Sequence, residues 1–158
     1  MKILVVSDTH GYTSSLRTLL GTFENQVDMV IHLGDYAQDL LDMEILYPNL
    51  TMVAVAGAVD YGVDSVRILK LEGCRIMLLH GHLHGVKSDI RRLIKFAKDS
   101  NVDACLFGHT HVQTMFTQES IFFMNPGSIP EPRDGSGAGY GLIEITPEGE
   151  ISGEIITL

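Results

Sequence analysis

Ile3-Leu4-Val5-Val6-Ser7-Asp8-Thr9-His10-Gly11 decides how this chain is read. Four β-forming apolar residues run directly into a carboxylate, one spacer, an imidazole and a glycine. A run that is apolar at every position and bounded by turn formers predicts a strand buried on both faces. In open α/β sheets, ligands bind beyond the carboxyl ends of the strands, and Asp8 and His10 fall at that point. Both side chains bind metals, and the single spacer lets both turn towards one site. An Asp-x-His after one strand is a weak signal; its weight comes from recurrence.

The same event returns four times. Residues 29–33 read as a second buried strand ending in Gly34-Asp35. Residues 50–56 form a third, which empties into Gly57-Ala58-Val59-Asp60. Val66–Leu71 and Cys74–Leu79 pair through a tight Glu72-Gly73 turn, and the second runs into His80-Gly81-His82-Leu83-His84-Gly85. Residues 103–107 end at Gly108-His109-Thr110-His111.

Helices fill the gaps. Thr13 or Ser14 is placed to cap one with Leu16, Leu19, Leu20 and Phe23 on one face, and Ser88 another with Ile90, Leu93, Ile94 and Ala97. A third, over 37–46, is stopped by Pro48. Beyond His111 the chain turns to β, over 112–118, 121–124, 140–145 and 150–157, around a Gly/Pro/Ser-rich loop at 125–139. Parallel strands with right-handed helical crossovers therefore come first and antiparallel pairing later. The expected architecture is α/β: a four-layer α/β/β/α sandwich of two mixed β-sheets flanked by helices.

At 158 residues, 45% hydrophobic and 20% charged, the chain fits one domain, spanning 1–158, with core enough to fold without a disulfide or structural metal. A metal here is expected to serve chemistry. The net charge of −9 argues against a nucleic-acid or anionic-membrane partner, since such surfaces are gripped by clustered Lys and Arg. A small phosphorylated substrate remains compatible, because bound cations reverse the local sign. Cys74 and Cys105 lie far apart in apolar runs and read as buried thiols of a reducing compartment. No stretch approaches the ~20 apolar residues of a membrane span, and the short apolar start does not read as a secretory signal. A cytoplasmic domain is expected.

Several polar residues have plainer readings. His32 sits inside an apolar run and reads as a hydrogen-bonded core histidine; His84 and Arg133 read as solvated loop residues. Asp8, His10, Asp35, His80, His109 and His111, each at the end of a predicted strand, together form a mixed imidazole and carboxylate set. Such a set suits Mn, Fe, Zn, Ni or Co.

These motifs, with Asn125-Pro126-Gly127-Ser128 after the last, resemble the calcineurin-like metallophosphoesterase series, and the compact length narrows the likeness to the small YfcE-type phosphodiesterases. The resemblance runs from Lys2 to about Ile145 and implies the same sandwich fold. It implies two divalent transition-metal ions, manganese first among them: one held by Asp8, His10, Asp35 and His111, the other by Asp35, His80 and His109, with Asp35 bridging. A hydroxide shared by the two ions would attack phosphorus in line, with no protein nucleophile.

One motif departs. Where the family carries Gly-Asn, this chain has Gly57-Ala58, and the lost amide implies a weakened second site and reduced catalysis. Val59 stands where larger relatives keep a proton-donating histidine; His82 is the nearest replacement acid by position. The departure also admits a different class, a catalytically impaired protein-binding scaffold resembling the retromer subunit of this fold. An aspartyl-phosphate enzyme is disfavoured because His10 occupies the second position of the Asp-x-Asp such enzymes use. The β-rich C-terminal half offers edges for a homo-oligomer.

Overall fold

Ile3 and Val5 face one way out of the first strand and Leu4 and Val6 the other, and all four are fully buried. That alternation sets the layers. The computed structural model describes residues 1–158. Its strands are β1 (Lys2–Val6), β2 (Met29–His32), β3 (Thr51–Ala54), β4 (Val66–Leu71), β5 (Cys74–Leu79), β6 (Ala104–Leu106), β7 (Thr114–Gln118), β8 (Ile121–Asn125), β9 (Gly139–Ile145) and β10 (Ile151–Thr157). Its helices are α1 (Thr13–Phe23), α2 (Gln38–Leu41) and α3 (Arg91–Asp99).

Two five-stranded sheets result, in the orders β10-β9-β1-β2-β3 and β4-β5-β6-β8-β7. Each has three neighbouring parallel strands. In the first sheet β1, β2 and β3 lie on one side, with antiparallel β9 and β10 on the other. In the second β5, β6 and β8 lie at the centre, between antiparallel β4 and β7. Ile3 and Val5 meet Ile76, Leu78 and Leu106 in the core between the sheets. Leu4 and Val6 pack with Leu16, Leu20 and Leu40 beneath α1 and α2. Met77, Leu79 and Cys105 pack with Leu93, Ile94 and Ala97 beneath α3. The four layers expected from the sequence are present.

The helix starts differ from expectation. Neither Thr13 nor Ser14 caps α1; Thr13 is already helical, and the chain turns into the helix through Tyr12 N donating to Thr9 O at 2.9 Å and Thr13 N to Gly11 O at 3.0 Å. Ser88 bonds back to Gly85 O, and Asp89 instead accepts the Arg91 N–H at 3.1 Å. The helix expected over 37–46 is α2, tightening into a 3₁₀ turn over Asp42–Ile45. Both cysteines are free and buried, and burial pushes the Cys105 thiol pKa up. No helix is long and apolar enough to cross a membrane.

Candidate metal centre

The parallel strands of both sheets point their carboxyl ends at one edge, and the six candidate ligands gather there. Asp8, His10, Asp35 and His111 offer ligand atoms within 4.8 Å of one another, as do Asp35, His80 and His109. Asp35 belongs to both groups. Asp8 and His10 leave β1 and Asp35 leaves β2, while His80 follows β5 and His109 and His111 follow β6. Each sheet thus supplies three candidate ligands.

The local backbone is strained to do this. Of eleven non-glycine residues with left-handed φ, five are Asp8, His10, Asp35, His109 and His111, and a sixth is Tyr36. Such conformations persist where the surroundings over-determine them, and they cluster at functional sites. The loops also approach closely. A Cβ on Gly34 would lie 2.6 Å from Gly57 N, and one on Gly57 would collide with the Asp35 backbone nitrogen and carboxylate. Only glycine fits at either position.

Hydrogen bonds orient the imidazoles. His80 Nδ1 donates to Leu33 O at 2.8 Å, and His111 Nδ1 donates to Glu131 O at 2.6 Å. In the neutral rings both Nε2 lone pairs therefore face inward, where the Asp8 and Asp35 carboxylates already stand. His80 Nε2 lies 3.3 Å from Asp35 Oδ1, and His111 Nε2 lies 3.2 Å from Asp8 Oδ1. Asp8 Oδ1 is a buried carboxylate oxygen without a hydrogen-bond partner. Lone pairs facing carboxylates in a buried space call for positive charge between them.

The titration behaviour says the same. Burial by itself would lower the His80 pKa, but the hydrogen bond to Asp35 and the charges of Asp8 and Asp35 raise it. At His111 burial is likewise overridden by Asp8 and the Glu131 carbonyl. Asp35 resists the upward push of burial through His80 and the Ala58 N–H, which hold it well below the usual carboxylate range. His109 is the opposite case: burial, then His80 and Lys87, take it down to about 4. Its Nδ1 lies 3.1 Å from His80 Nε2. The donor set and the partnerless carboxylate oxygen fit divalent cations.

A supporting layer was not legible as such in the sequence. Asp8 Oδ2 accepts from Ser7 Oγ at 2.6 Å and from the His109 N–H at 3.1 Å. Ser128 Oγ donates to Asp8 O at 2.8 Å, and Asn125 Nδ2 donates to Gly108 O at 2.9 Å. The Asn125–Ser128 segment therefore ties down both halves of the site. His32 is fully buried, as its apolar setting predicts. Its Nδ1 accepts the Gly34 N–H, so its Nε2–H donates to Thr9 Oγ1, which donates to Asp39 Oδ2 at 2.6 Å. This chain pins the loops after β1 and β2 to α2.

The third motif does not present its acid to the centre. Asp60 accepts from Gly57 N at 2.7 Å and Ala37 N at 3.0 Å, closing the turn. That turn aims the Ala58 N–H at Asp35 Oδ1, 2.7 Å away. The Ala58 side chain is exposed and has no polar atom to offer.

His82 stands outside both ligand groups, with its ring 5.4 Å from that of His80 and 6.1 Å from that of His109. Its Nδ1 is buried without a partner. Burial, then the neighbouring His80, lower its pKa. His84 is half-buried rather than solvated; its ring lies 4.6 Å from that of Phe96 on α3. Arg133 is exposed, as expected, and its backbone N–H donates to His111 O at 3.1 Å.

Known proteins resemble this chain in sequence and in fold. The chain is 32% identical over 148 residues to the probable metallophosphoesterase YsnB of Bacillus subtilis, covering 92% of this chain and 85% of that protein. It is 27% identical over 168 residues to the phosphodiesterase YfcE of Escherichia coli K12, covering 91% and 88%. Among solved structures, a predicted phosphoesterase from Streptococcus pneumoniae TIGR4 superposes with a TM-score of 0.78 at 26% identity, covering 99% of this chain and 97% of that one. A single-site mutant of Vps29 from Entamoeba histolytica shares the fold, with a TM-score of 0.77 at 23% identity, covering 100% and 99%. The profile of the calcineurin-like phosphoesterase superfamily domain matches residues 1–148, and with these ligand clusters at its strand ends the chain belongs to that superfamily.

Proposed function

We propose that this chain is a metal-dependent phosphodiesterase acting on a small phosphorylated substrate, with manganese the preferred ion. One observation carries the reading: two ligand groups, built from both sheets, that share Asp35. The name of the relative YfcE, a phosphodiesterase, supports a diester over a monoester.

Asp8, His10, Asp35 and His111 would hold one ion, and Asp35, His80 and His109 the other. When bound, such a pair supplies positive charge for the phosphoryl oxygens and a water acidic enough to attack phosphorus. The chain's own groups do the rest. Leu33 O and Glu131 O keep His80 and His111 turned with Nε2 inward. The Ala58 N–H fixes Asp35 Oδ1, and Ser7 with the His109 N–H fixes Asp8 Oδ2. His82, beside the His80–His109 half and with Nδ1 unpartnered, moves the proton at the leaving oxygen.

Ala58 contributes neither an oxygen nor an amide donor through its side chain. The second site is therefore weak, and turnover is below that of a Gly-Asn version. The test is hydrolysis of bis-p-nitrophenyl phosphate with Mn²⁺, by this chain and by Ala58→Asn in parallel. Chelator-sensitive turnover supports the reading, and its absence from both proteins overturns it. The loss at Ala58 is also what favours a second reading, a protein-binding scaffold on the same fold. Near-stoichiometric bound metal with no turnover even after Ala58→Asn would point there.

A further inference from the structure

The non-glycine residues with left-handed backbone at the site are five candidate ligands and Tyr36. Tyr36 is not one of those ligands and is 45% exposed. A bulky residue with φ of +70° is an outlier where glycine or asparagine would be at ease. The conformation sets the ring beside the centre, against the loop after β1. Its centroid lies 5.6 Å from that of His10, and its edge lies over Gly11, where an added Cβ would be 3.6 Å from Cε1. Strain, exposure and contact with a candidate ligand meet in one side chain that joins none of the three core clusters.

Tyr36 is not alone. The chain has five tyrosines; Tyr47 and Tyr140 are in the core beneath α1. The other three, Tyr12, Tyr36 and Tyr61, are all exposed, and all sit in loops leaving the ends of β1, β2 and β3. Tyr12 follows His10 by two residues, Tyr36 adjoins Asp35, and Tyr61 adjoins Asp60. Val59, in the loop after β3, and Leu83, in the turn after β5, are also exposed. Half of the ten exposed large hydrophobics of the whole chain are thus at this one edge. Apolar and aromatic surface concentrated at a site marks what the site binds.

We infer that Tyr36 is a specificity-determining residue whose ring stacks on a planar aromatic group of the substrate, with Tyr12 and Tyr61 extending that rim. The inference rests on the phosphodiesterase reading and names its substrate class as nucleoside phosphate esters. The shared chemistry is a flat aromatic ring joined to a phosphate, which a nucleotide and a simple aryl phosphate both present. A base with a ribose linker sets its ring farther from phosphorus than an aryl ester does. The Tyr36 ring packs against His10 and belongs to neither ligand group, and that placement at the rim favours the nucleotide.

Equilibrium titration of the Mn²⁺-loaded protein with AMP, ribose 5-phosphate and phenyl phosphate tests this, beside turnover of bis-p-nitrophenyl phosphate. AMP is expected to bind about tenfold tighter than ribose 5-phosphate, from one stacked base. Tyr36→Phe should keep that preference. Tyr36→Asn, which suits the left-handed backbone, should reduce it to within twofold while ribose 5-phosphate binding stays unchanged. Equal binding of AMP and ribose 5-phosphate, or an AMP preference that survives Tyr36→Asn, overturns the inference, and persisting diester turnover would leave the enzyme reading intact. Phenyl phosphate binding as tightly as AMP overturns the nucleoside assignment. If neither phosphate binding nor turnover is seen, both readings fall together.

Discussion

Asp8 Oδ1 lies 3.2 Å from His111 Nε2, deeply buried, with no hydrogen bond of its own. A buried carboxylate oxygen in that state is suited to a cation, and occupancy should be visible as stability. At a hundred times the dissociation constant, a ligand specific to the folded state contributes about 2.7 kcal/mol. For a chain of this size that is a rise in Tm of about 5–10 °C. Mn²⁺ should produce it, a chelator should reverse it, and Asp8→Asn should abolish it in a thermal-melt comparison.

Gly57 is the backstop of Asp35. A methyl group there collides with the Asp35 backbone nitrogen and carboxylate, so Gly57→Ala must displace the residue common to both ligand groups. Overpacking of this kind costs about 1–3 kcal/mol. Denaturant unfolding should show that loss, and calorimetric titration should show Mn²⁺ affinity weakened at least tenfold in the same variant.

Ala58→Asn adds an amide where the existing methyl is exposed, so no packing is disturbed. The backbone N–H that holds Asp35 is kept. Metal affinity at the weaker site should rise about 10–100-fold, judged by what comparable ligand support contributes elsewhere. A titration resolving two binding events would check it, and unchanged weak binding would remove Ala58 as the cause.

His82→Gln separates proton transfer from metal holding. The ring belongs to neither ligand group, so metal content by elemental analysis should be unchanged. Turnover should fall about 100-fold or more if the ring moves a proton in the rate-limiting step. The fall should be smaller on p-nitrophenyl esters, whose leaving group departs without a proton.

His32 should make the fold acid-sensitive. Burial takes its pKa from 6.5 down to about 4, against the opposing charges of Asp8 and Asp39. Between those values the unfolded chain binds the extra proton, so stability rises with pH and is lost as pH falls from 6.5 to 4. Protonation of Nδ1 would also break the bond from the Gly34 N–H. The loss amounts to up to about 3 kcal/mol. His32→Asn, which retains an acceptor for Gly34, should flatten that part of a pH-stability profile.

Much of this was legible in the sequence because strand, turn and ligand fall in one local pattern. β4 and β5 stand at Val66–Leu71 and Cys74–Leu79, where the apolar runs and the Glu72-Gly73 turn put them. Candidate ligands could be named because each directly follows a buried run. What stayed hidden depends on partners distant in sequence. Ser128 and Asp8 are 120 residues apart, and Thr9, His32 and Asp39 meet only through side-chain geometry. The capping residues were misplaced because backbone turns at Gly11 and Gly85 compete with side chains for the same donors. Asp60 read as one more strand-end acid, but its carboxylate is consumed by the Gly57 and Ala37 amides.

Three candidate ligands come from each sheet, and the bonds from His80 Nδ1 to Leu33 O and from the His109 N–H to Asp8 Oδ2 already cross between them. An ion gripped from both sides would act as a rivet through the sandwich. Chemistry at the edge and register in the middle are then one mechanical system. A slip of the two layers, started by a cavity at Ile3 or Leu78 in the core between the sheets, would be felt first as a loosened grip on the metal and only later as loss of the fold.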